Sequence, residues 1–435
     1  MSDLTEPRYD VIVVGGGPAG SATAGLLAQE GRSVLLLERE KFPRYHIGES
    51  LIPGVLQTLD RLGLQQRLKD SDFVRKYGGS LVWGKGLPLW SFSFDQGGPY
   101  EHAYQVRRAD FDALLLTRAR ELGAHVVEEA TVREPVMDGD RMTGVRYRTS
   151  AKKETVTARA RIVVDATGQQ RWLGRHFDMV DWHEDLRNIA VWSYHQGCLR
   201  FPGKAAGNIL TEYRPGGWIW FIPLHDGTTS IGYVTPTAEL AKTGLTPEEL
   251  YVKQVEGSRE VRRLMEPSVQ VSDYRTIRDW SYNCTSFQGP GWLCVGDAAA
   301  FVDPLLSTGV TLALRGAATA AKAAGRMLTD PETAAQTGQA YERSYRNFLD
   351  GILAYVREFY QQDYSTEEYF EQASKVLDRD VDLPAKADFV TLVSGLSEGG
   401  DFFERPMETS DELWERLRVR VEAPPMNTMA TGGTE

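Results

Sequence analysis

Cysteine is scarce in this chain: Cys198, Cys284 and Cys294 are the three among 435 residues. An odd, scattered set excludes a disulfide framework, and such usage suits a reducing cytoplasm. Long hydrophobic runs are missing too. No stretch reaches the roughly 18 unbroken apolar residues of a membrane helix, so no membrane span is predicted. The opening MSDLTEPRYD has neither the basic nor the apolar region of a signal peptide. Basic charge is in deficit, with 49 Lys and Arg against 60 Asp and Glu for a net −11. A nucleic-acid backbone would be repelled on average, and no Lys/Arg run compensates, so nucleic acid is excluded as a partner. The histidines, His183 and His195 included, lack ligand spacing, so no metal site is predicted. There is no G-x-S-x-G motif and no second Gly-rich nicotinamide fingerprint.

What is present is ample apolar content, 42% hydrophobic and 10% aromatic, which rules out a disordered chain and allows two or three lobes. The start reads as strand, glycine loop, helix, strand. Tyr9 to Val14 is a short apolar run, GGGPAG occupies 15–20, a helix follows until Gly31, and SVLLLE at 33–38 reads as a buried strand. This is a βαβ opening with a parallel sheet. A helix is predicted over 111–122. Strands are predicted over 125–128, 142–149 and 162–165. From about 186 to 275 the pattern alternates and is rich in aromatics, with Asp226-Gly227 as a hairpin turn. That middle predicts an antiparallel sheet inserted in an α/β domain. An Ala-rich helix is expected up to about Met327, a charged helical region over 331–422 and a loose tail over 423–435.

Gly15, Gly17 and Gly20 form G-x-G-x-x-G between a strand and a helix. The first glycine permits the tight turn, the second a close approach to a pyrophosphate, the third close helix–strand packing. The helix N-terminus, with Pro18 and Ala19 in its first turn, offers unpaired N–H groups to phosphate. Glu38 ends the second strand, where a carboxylate meets a ribose hydroxyl, and Arg39 follows it. An acid there disfavours a 2′-phosphate, leaving FAD or NAD.

Three further segments decide for FAD by resemblance. VGDAAAFVDP at 295–304 resembles the second flavin-binding motif of the FAD-dependent aromatic monooxygenase superfamily, and YQVRRADFDALL at 104–115 and GQQRWLGRHF at 168–177 resemble other cofactor-contacting segments. Within that superfamily, WIWFIP at 218–223, FVDPLLSTG at 301–309, RYHIGESLIPGVL at 44–56 and FVRKYGGSLVWG at 73–84 resemble the flavin-dependent halogenases, nearest to the branch acting on phenols or pyrroles. The resemblance implies a glutathione-reductase-type FAD domain, a doubly layered α/β fold over about 1–330. Its FAD-binding segments would be 1–80, 104–185 and 276–330, with a substrate-side sheet over 81–103 and 186–275.

The resemblance also implies roles. Gly48, Glu49, Ser50, Arg108, Val132, Asp297, Pro304, Gly309 and Val310 would join the glycine loop in holding FAD. Thr308 and Gly309 would hold halide, and Ser307 beside them would be catalytic together with Lys76. Reduced flavin and dioxygen would oxidise halide, chloride by availability, to hypohalous acid. Lys76 would then present the halogen to an aromatic substrate, free or tethered to an acyl or peptidyl carrier protein. A separate flavin reductase and a place in bacterial natural-product or antibiotic biosynthesis are implied as well.

Each motif also has a plain structural reading. Trp218, Trp220 and Ile222 share one face of a strand; they could keep an organic substrate off the flavin, or simply fill a core. Pro223 closes that motif. Ser307 or Thr308 could serve only as a helix N-cap. Most lysines are surface charge, and Arg75 is the neighbouring rival to Lys76, although an always-charged guanidinium makes a poor haloamine. Leu306 stands where tryptophan-type halogenases carry glutamate, so an activated ring is expected. His102 is a candidate outside base. The charged C-terminal helices suit docking, a lid or a solvated cover. Competing functions are a single-component aromatic hydroxylase using NAD(P)H, an isoprenoid reductase and a catalytically silent FAD-binding module.

Overall fold

The computed structural model describes residues 8–377 and 384–396. The predicted tail over 423–435, and the helical region beyond 396, lie outside the described residues.

Two sheets carry the fold. The parallel centre of the first runs Trp292–Cys294, Lys152–Asp165, Arg8–Val14, Val34–Leu37, His125–Val127. The hairpin Ala130–Asp138 with Arg141–Thr149 extends it antiparallel. The innermost strand is buried along Val11–Val14, as a strand covered on both faces must be. Helices Pro18–Gln29 and Gly309–Thr329 pack together beside it. The alanines of the second helix let the two approach, and Gly31, at φ +78°, follows the first helix's end.

The second sheet runs Ala300–Phe301, Arg275–Cys284, Val180–Gln196, Thr228–Pro236, Gly217–Pro223, Ile209–Arg214, Gly78–Val82, Leu89–Ser93. It is antiparallel except where Ile209–Arg214 meets Gly78–Val82. The 227 turn is as expected, with Gly227 at φ +81°. The sheet reaches further than the alternation indicated. Val180–Gln196 is one strand whose pairing slips between Trp182 and Arg187, and that irregularity blurs the period-two signal.

The two faces of Gly217–Pro223 bury different sets. Trp218, Trp220 and Ile222 join Trp192, Trp83, Phe359 and Phe389, while Ile219 and Phe221 join Tyr233 and Tyr251. Helices Thr366–Leu377 and Ala385–Val393 cover the tryptophan face with Tyr369, Phe389 and Val390. Helix Ala334–Phe359 belongs to the core under the first sheet: Tyr341 and Tyr345 are buried there, and Tyr345 Oη donates to Leu312 O at 3.1 Å. No helix among the described residues is long and apolar enough to cross a membrane.

Candidate active site

A cavity of about 550 Å³ opens at the C-terminal ends of the parallel strands and runs under the tryptophan strand. Gly15 takes φ +105°, and a Cβ there would meet Ala166 O at 2.3 Å. A Cβ on Gly20 would lie 1.9 Å from Gly15 O. These two glycines are required by packing alone. Gly17, the N-cap of helix Pro18–Gln29, lines the cavity with Gly15, Pro18 and Ala19. Gly20 does not, because it is turned beneath the loop.

Glu38 stands at the end of Val34–Leu37 and lines the cavity. Its Oε2 accepts from Gly16 N at 2.6 Å and its Oε1 from Glu40 N at 2.8 Å, which leaves each oxygen a further acceptor site. Arg108 is buried and clamped by Asp112, with Nε–Oδ1 at 2.7 Å and Nη2–Oδ2 at 2.9 Å, and its Nη1 donates to Ile47 O at 2.9 Å. It thereby fixes the 47–50 segment, whose Gly48, Glu49 and Ser50 line the cavity, as do Arg39, Val132, Asp297, Pro304, Ser307, Gly309 and Val310. Burial pushes the Asp297 carboxyl up to about 6, against the opposing pull of Arg108.

Glu49 is also buried. Desolvation raises its carboxyl to about 7, although Arg107 lies 3.3 Å away. Its Oε1 accepts from Tyr194 Oη at 3.0 Å. Ser230 lies close enough to favour the carboxylate, and among the described residues Oε2 has no hydrogen-bond partner. A cavity of this size, with a glycine cradle on a helix N-terminus, a strand-end acid and buried acceptors, fits FAD. The glycine loop and helix start suit a pyrophosphate, and the strand-end Glu38 suits a ribose hydroxyl.

Trp218, Trp220 and Ile222 wall the same cavity, whereas Pro223 ends its strand against Thr229, away from the lining. The indoles are pinned: Trp218 Nε1 donates to Tyr360 Oη at 2.9 Å and Trp220 Nε1 to Ser230 Oγ at 3.1 Å. Tyr360 and Asn188 in turn donate to Asp303 Oδ2 at 3.1 and 2.7 Å, and Leu305 N donates to Asp303 Oδ1. This ties the tryptophan strand to the 303–307 turn.

A second, far smaller cavity of about 30 Å³ lies beyond that turn. Lys76, Leu306, Phe94, Phe359, Phe389 and Val393 line it, and it shares Ser307 and Ile209 with the large one. Lys76 is 2% exposed, and Nζ donates to Ser50 Oγ at 2.8 Å. Desolvation lowers its amine to about 7. Strand alternation over Val74–Lys76 turns Arg75 to solvent and Lys76 inward.

Ser307 takes φ +59°, unusual for a residue with a Cβ. The cap expectation fails in one respect. Thr308 occupies the N-cap of Gly309–Thr329, but its backbone is already helical, so its hydroxyl makes no cap bond and is buried without a partner among the described residues. Thr308 does not line either cavity, and neither does His102, which packs between Tyr77 and Tyr104. The sequence reading missed Tyr45, Tyr194, Trp192 and Arg107. Tyr45 stands within the quoted RYHIGES segment and Trp192 on an alternating strand, but nothing local announces that the four meet.

A model of an FAD binding domain matches residues 8–346. The chain is 32% identical over 406 residues to a tryptophan 2-halogenase of Chondromyces crocatus, covering 90% of this chain and 76% of the relative. A flavin-dependent halogenase of Armillaria mellea is 31% identical over 400 residues, covering 86% and 79%. Among solved structures, the myxobacterial chondrochloren halogenase is 33% identical with a TM-score of 0.78, covering 95% of this chain and 96% of its own. A flavin-dependent brominase at 24% identity and TM-score 0.81, covering 95% and 99%, shares the fold. With its FAD domain and relatives of this identity and coverage, the chain belongs to the flavin-dependent halogenases, which are oxidoreductases.

Proposed function

We propose that the enzyme oxidises halide, chloride by availability, in the large cavity and relays the halogen through Lys76 to an electron-rich phenol or pyrrole. Reduced FAD, delivered by a separate flavin reductase, would supply the reaction with dioxygen that makes halide electrophilic. The chain's own groups do the rest. Gly15, Gly17, Pro18, Ala19, Glu38, Arg39, Gly48, Glu49, Ser50, Arg108, Val132, Asp297, Pro304, Gly309 and Val310 would hold the cofactor. The Gly309 backbone N–H, which lines the cavity at a helix start, would hold halide, whereas its neighbour Thr308 stays outside the lining. The indoles of Trp218 and Trp220, with Ile222, exclude an aromatic ring while admitting a small anion. The halogen passes Ser307, and the Lys76 amine takes it from hypohalous acid by losing a proton to the departing water.

The observation that carries this reading is Lys76 itself. A buried lysine with no carboxylate partner among the described residues, its amine lowered to about 7, is costly to keep, and it sits one residue's thickness from the cofactor cavity. Leu306 in place of a carboxylate supports a ring that directs its own substitution. Carrier-tethered substrates, a bacterial cytoplasmic setting and natural-product biosynthesis belong to the same proposal.

The test supplies FAD, a flavin reductase, NADH, dioxygen and chloride or bromide to a panel of phenols, pyrroles, their phosphopantetheine thioesters and tryptophan, and reads halogen isotope patterns by mass spectrometry. Halogenated phenol or pyrrole is expected. Lys76→Ala should abolish it while a soluble hypohalite trap is still consumed. Full aryl halogenation by Lys76→Ala would overturn the relay, and turnover of tryptophan alone would overturn the substrate class.

A further inference from the structure

The space beside Lys76 is too small for an aromatic ring. Its cavity measures about 30 Å³. A water needs roughly 10–15 Å³, whereas a cavity that takes benzene is about 150 Å³. A water or a halide ion fits beside the amine; a phenol or pyrrole does not. Lys76 is 2% exposed, so no ring reaches it from solvent either. A ring meets this amine only where a wall gives way.

Several walls are fixed. Gly79 and Leu81 stand on Gly78–Val82, a strand paired on both sides. Leu306 belongs to the turn tied to Asp303. Phe359 ends a core helix, and its carbonyl accepts from Trp83 Nε1 at 2.9 Å. One wall is of a different kind: Phe389 and Val393, one turn apart on helix Ala385–Val393. The end of that helix is moored. Gly54 N donates to Ser394 O at 2.7 Å and Arg315 Nη1 to Gly395 O at 2.6 Å, and Gly395 turns the chain at φ +67°. Thr391 Oγ1 shares its hydrogen between Gly97 O at 2.6 Å and Ala387 O at 2.8 Å. At Phe389 the attachment is ring packing. Its ring centroid lies 5.0 Å from that of Phe370, 5.3 Å from Phe92, 5.7 Å from Trp90 and 6.3 Å from Tyr355. Another ring of similar size would satisfy the same contacts.

We infer that Phe389 holds the place of the substrate's aromatic ring and decides which rings reach Lys76. Helix Ala385–Val393 swings about its mooring at Ser394 and Gly395, the Thr391–Gly97 bond parts, and Phe389 leaves the box of Phe92, Trp90 and Tyr355. The substrate ring enters that box and faces the amine. The Phe389 ring is itself the size of a phenol, so its departure supplies the missing volume, and ring-for-ring exchange restores the packing. A substrate that binds only the open form shifts the helix toward it. No covalent bond forms or breaks. The inference rests on the Lys76 reading, since it is to this amine that the ring is admitted.

The test reads access to Lys76 without halogenation, in the full chain loaded with FAD. The probes are 4-hydroxybenzaldehyde and the larger 6-hydroxy-2-naphthaldehyde, each with cyanoborohydride, which reduces the Schiff base to a stable secondary amine. Peptide mass spectrometry compares Lys76 with the exposed Lys85. In the parent, Lys76 should be labelled far more slowly than Lys85. Phe389→Ala should speed labelling of Lys76 by about tenfold or more, with the larger gain for the naphthaldehyde. Phe389→Leu, which keeps more of the core filled, should shift it the same way by less, and serves if Phe389→Ala does not fold. Thr391 does not line the cavity, so Thr391→Val loosens the helix at unchanged volume and should speed both probes about fivefold alike. Parent labelling of Lys76 as fast as Lys85, or parent rates in the Phe389 variants or in Thr391→Val, would overturn the exchange. Full aryl halogenation by Lys76→Ala would defeat the relay and leave these labelling rates untouched, so the two failures are told apart.

Discussion

Lys76→Met should stabilise the protein, and by an amount that depends on pH. Lys76 is fully buried, and its amine is lowered from 10.5 to about 7 by desolvation. That gap corresponds to a penalty of about 5 kcal/mol on the charged form in the folded state. The sign follows from proton binding. Between about 7 and 10.5 the unfolded chain holds a proton on this amine that the native state has released, so native stability rises with pH across that window. Below about 7 the penalty is fully present. Methionine is likewise unbranched, one atom shorter than lysine, and carries no charge. Against the gain stands the Ser50 hydroxyl, left buried without its partner at a cost of about 1–3 kcal/mol. The expected net gain at pH 6 is therefore about 2–4 kcal/mol, of which about 3 kcal/mol should vanish by pH 9.5. Guanidinium unfolding of parent and variant at both pH values measures it. A variant less stable at pH 6, or a difference independent of pH, would refute the reasoning. A gain would mean that the fold maintains Lys76 at a cost, as a reactive group rather than a structural one.

Removing the Ser50 hydroxyl acts on the same amine. Ser50→Ala takes away the acceptor of the ammonium, so the amine should titrate lower still, and the acid limb of the aryl-halogenation pH profile should move to lower pH. An unmoved limb would detach Ser50 from Lys76. Gly20→Ala forces a Cβ to 1.9 Å from a carbonyl oxygen, and flavin occupancy after reconstitution should collapse along with the folded yield. Ser307→Val places a β-branched residue at φ +59°, with an expected loss of about 1–3 kcal/mol by denaturant unfolding, while Ser307→Gly should lose little.

Much of this was legible in the sequence because it is local. Gly15 and Gly20 declare their turn and packing by spacing alone, and Glu38 follows from the length of one βαβ unit. The shared face of Trp218, Trp220 and Ile222 is a period-two consequence, and Lys76 pointing inward while Arg75 points outward is the same arithmetic. What escaped is non-local. Phe389 and Val393 meet Lys76 only after some 300 residues of intervening chain have folded, and no pattern near position 76 signals them. Ser307 as a wall common to two cavities depends on a left-handed backbone that serine rarely adopts. The idle Thr308 hydroxyl shows the limit of cap rules: the residue type was right for a cap, but its backbone had already turned helical.

The seating of helix Ala334–Phe359 decides where this chain can be recombined. Tyr345 plugs the groove that Gly316 leaves open, where a Cβ would come within 2.7 Å of its ring, and Tyr341 Oη donates to Cys294 O beside the parallel sheet. Tyr360, just past the helix, fastens the tryptophan strand to Asp303. A crossover near residue 330 would therefore sever one core into two incompatible halves. A crossover after Tyr360 leaves that core whole and, among the described residues, exchanges the helices that cover the tryptophan face, of which Ala385–Val393 also lines the small cavity. Shuffling between relatives is therefore free to rewrite the Phe389 and Val393 wall beside Lys76 while inheriting the large cavity intact.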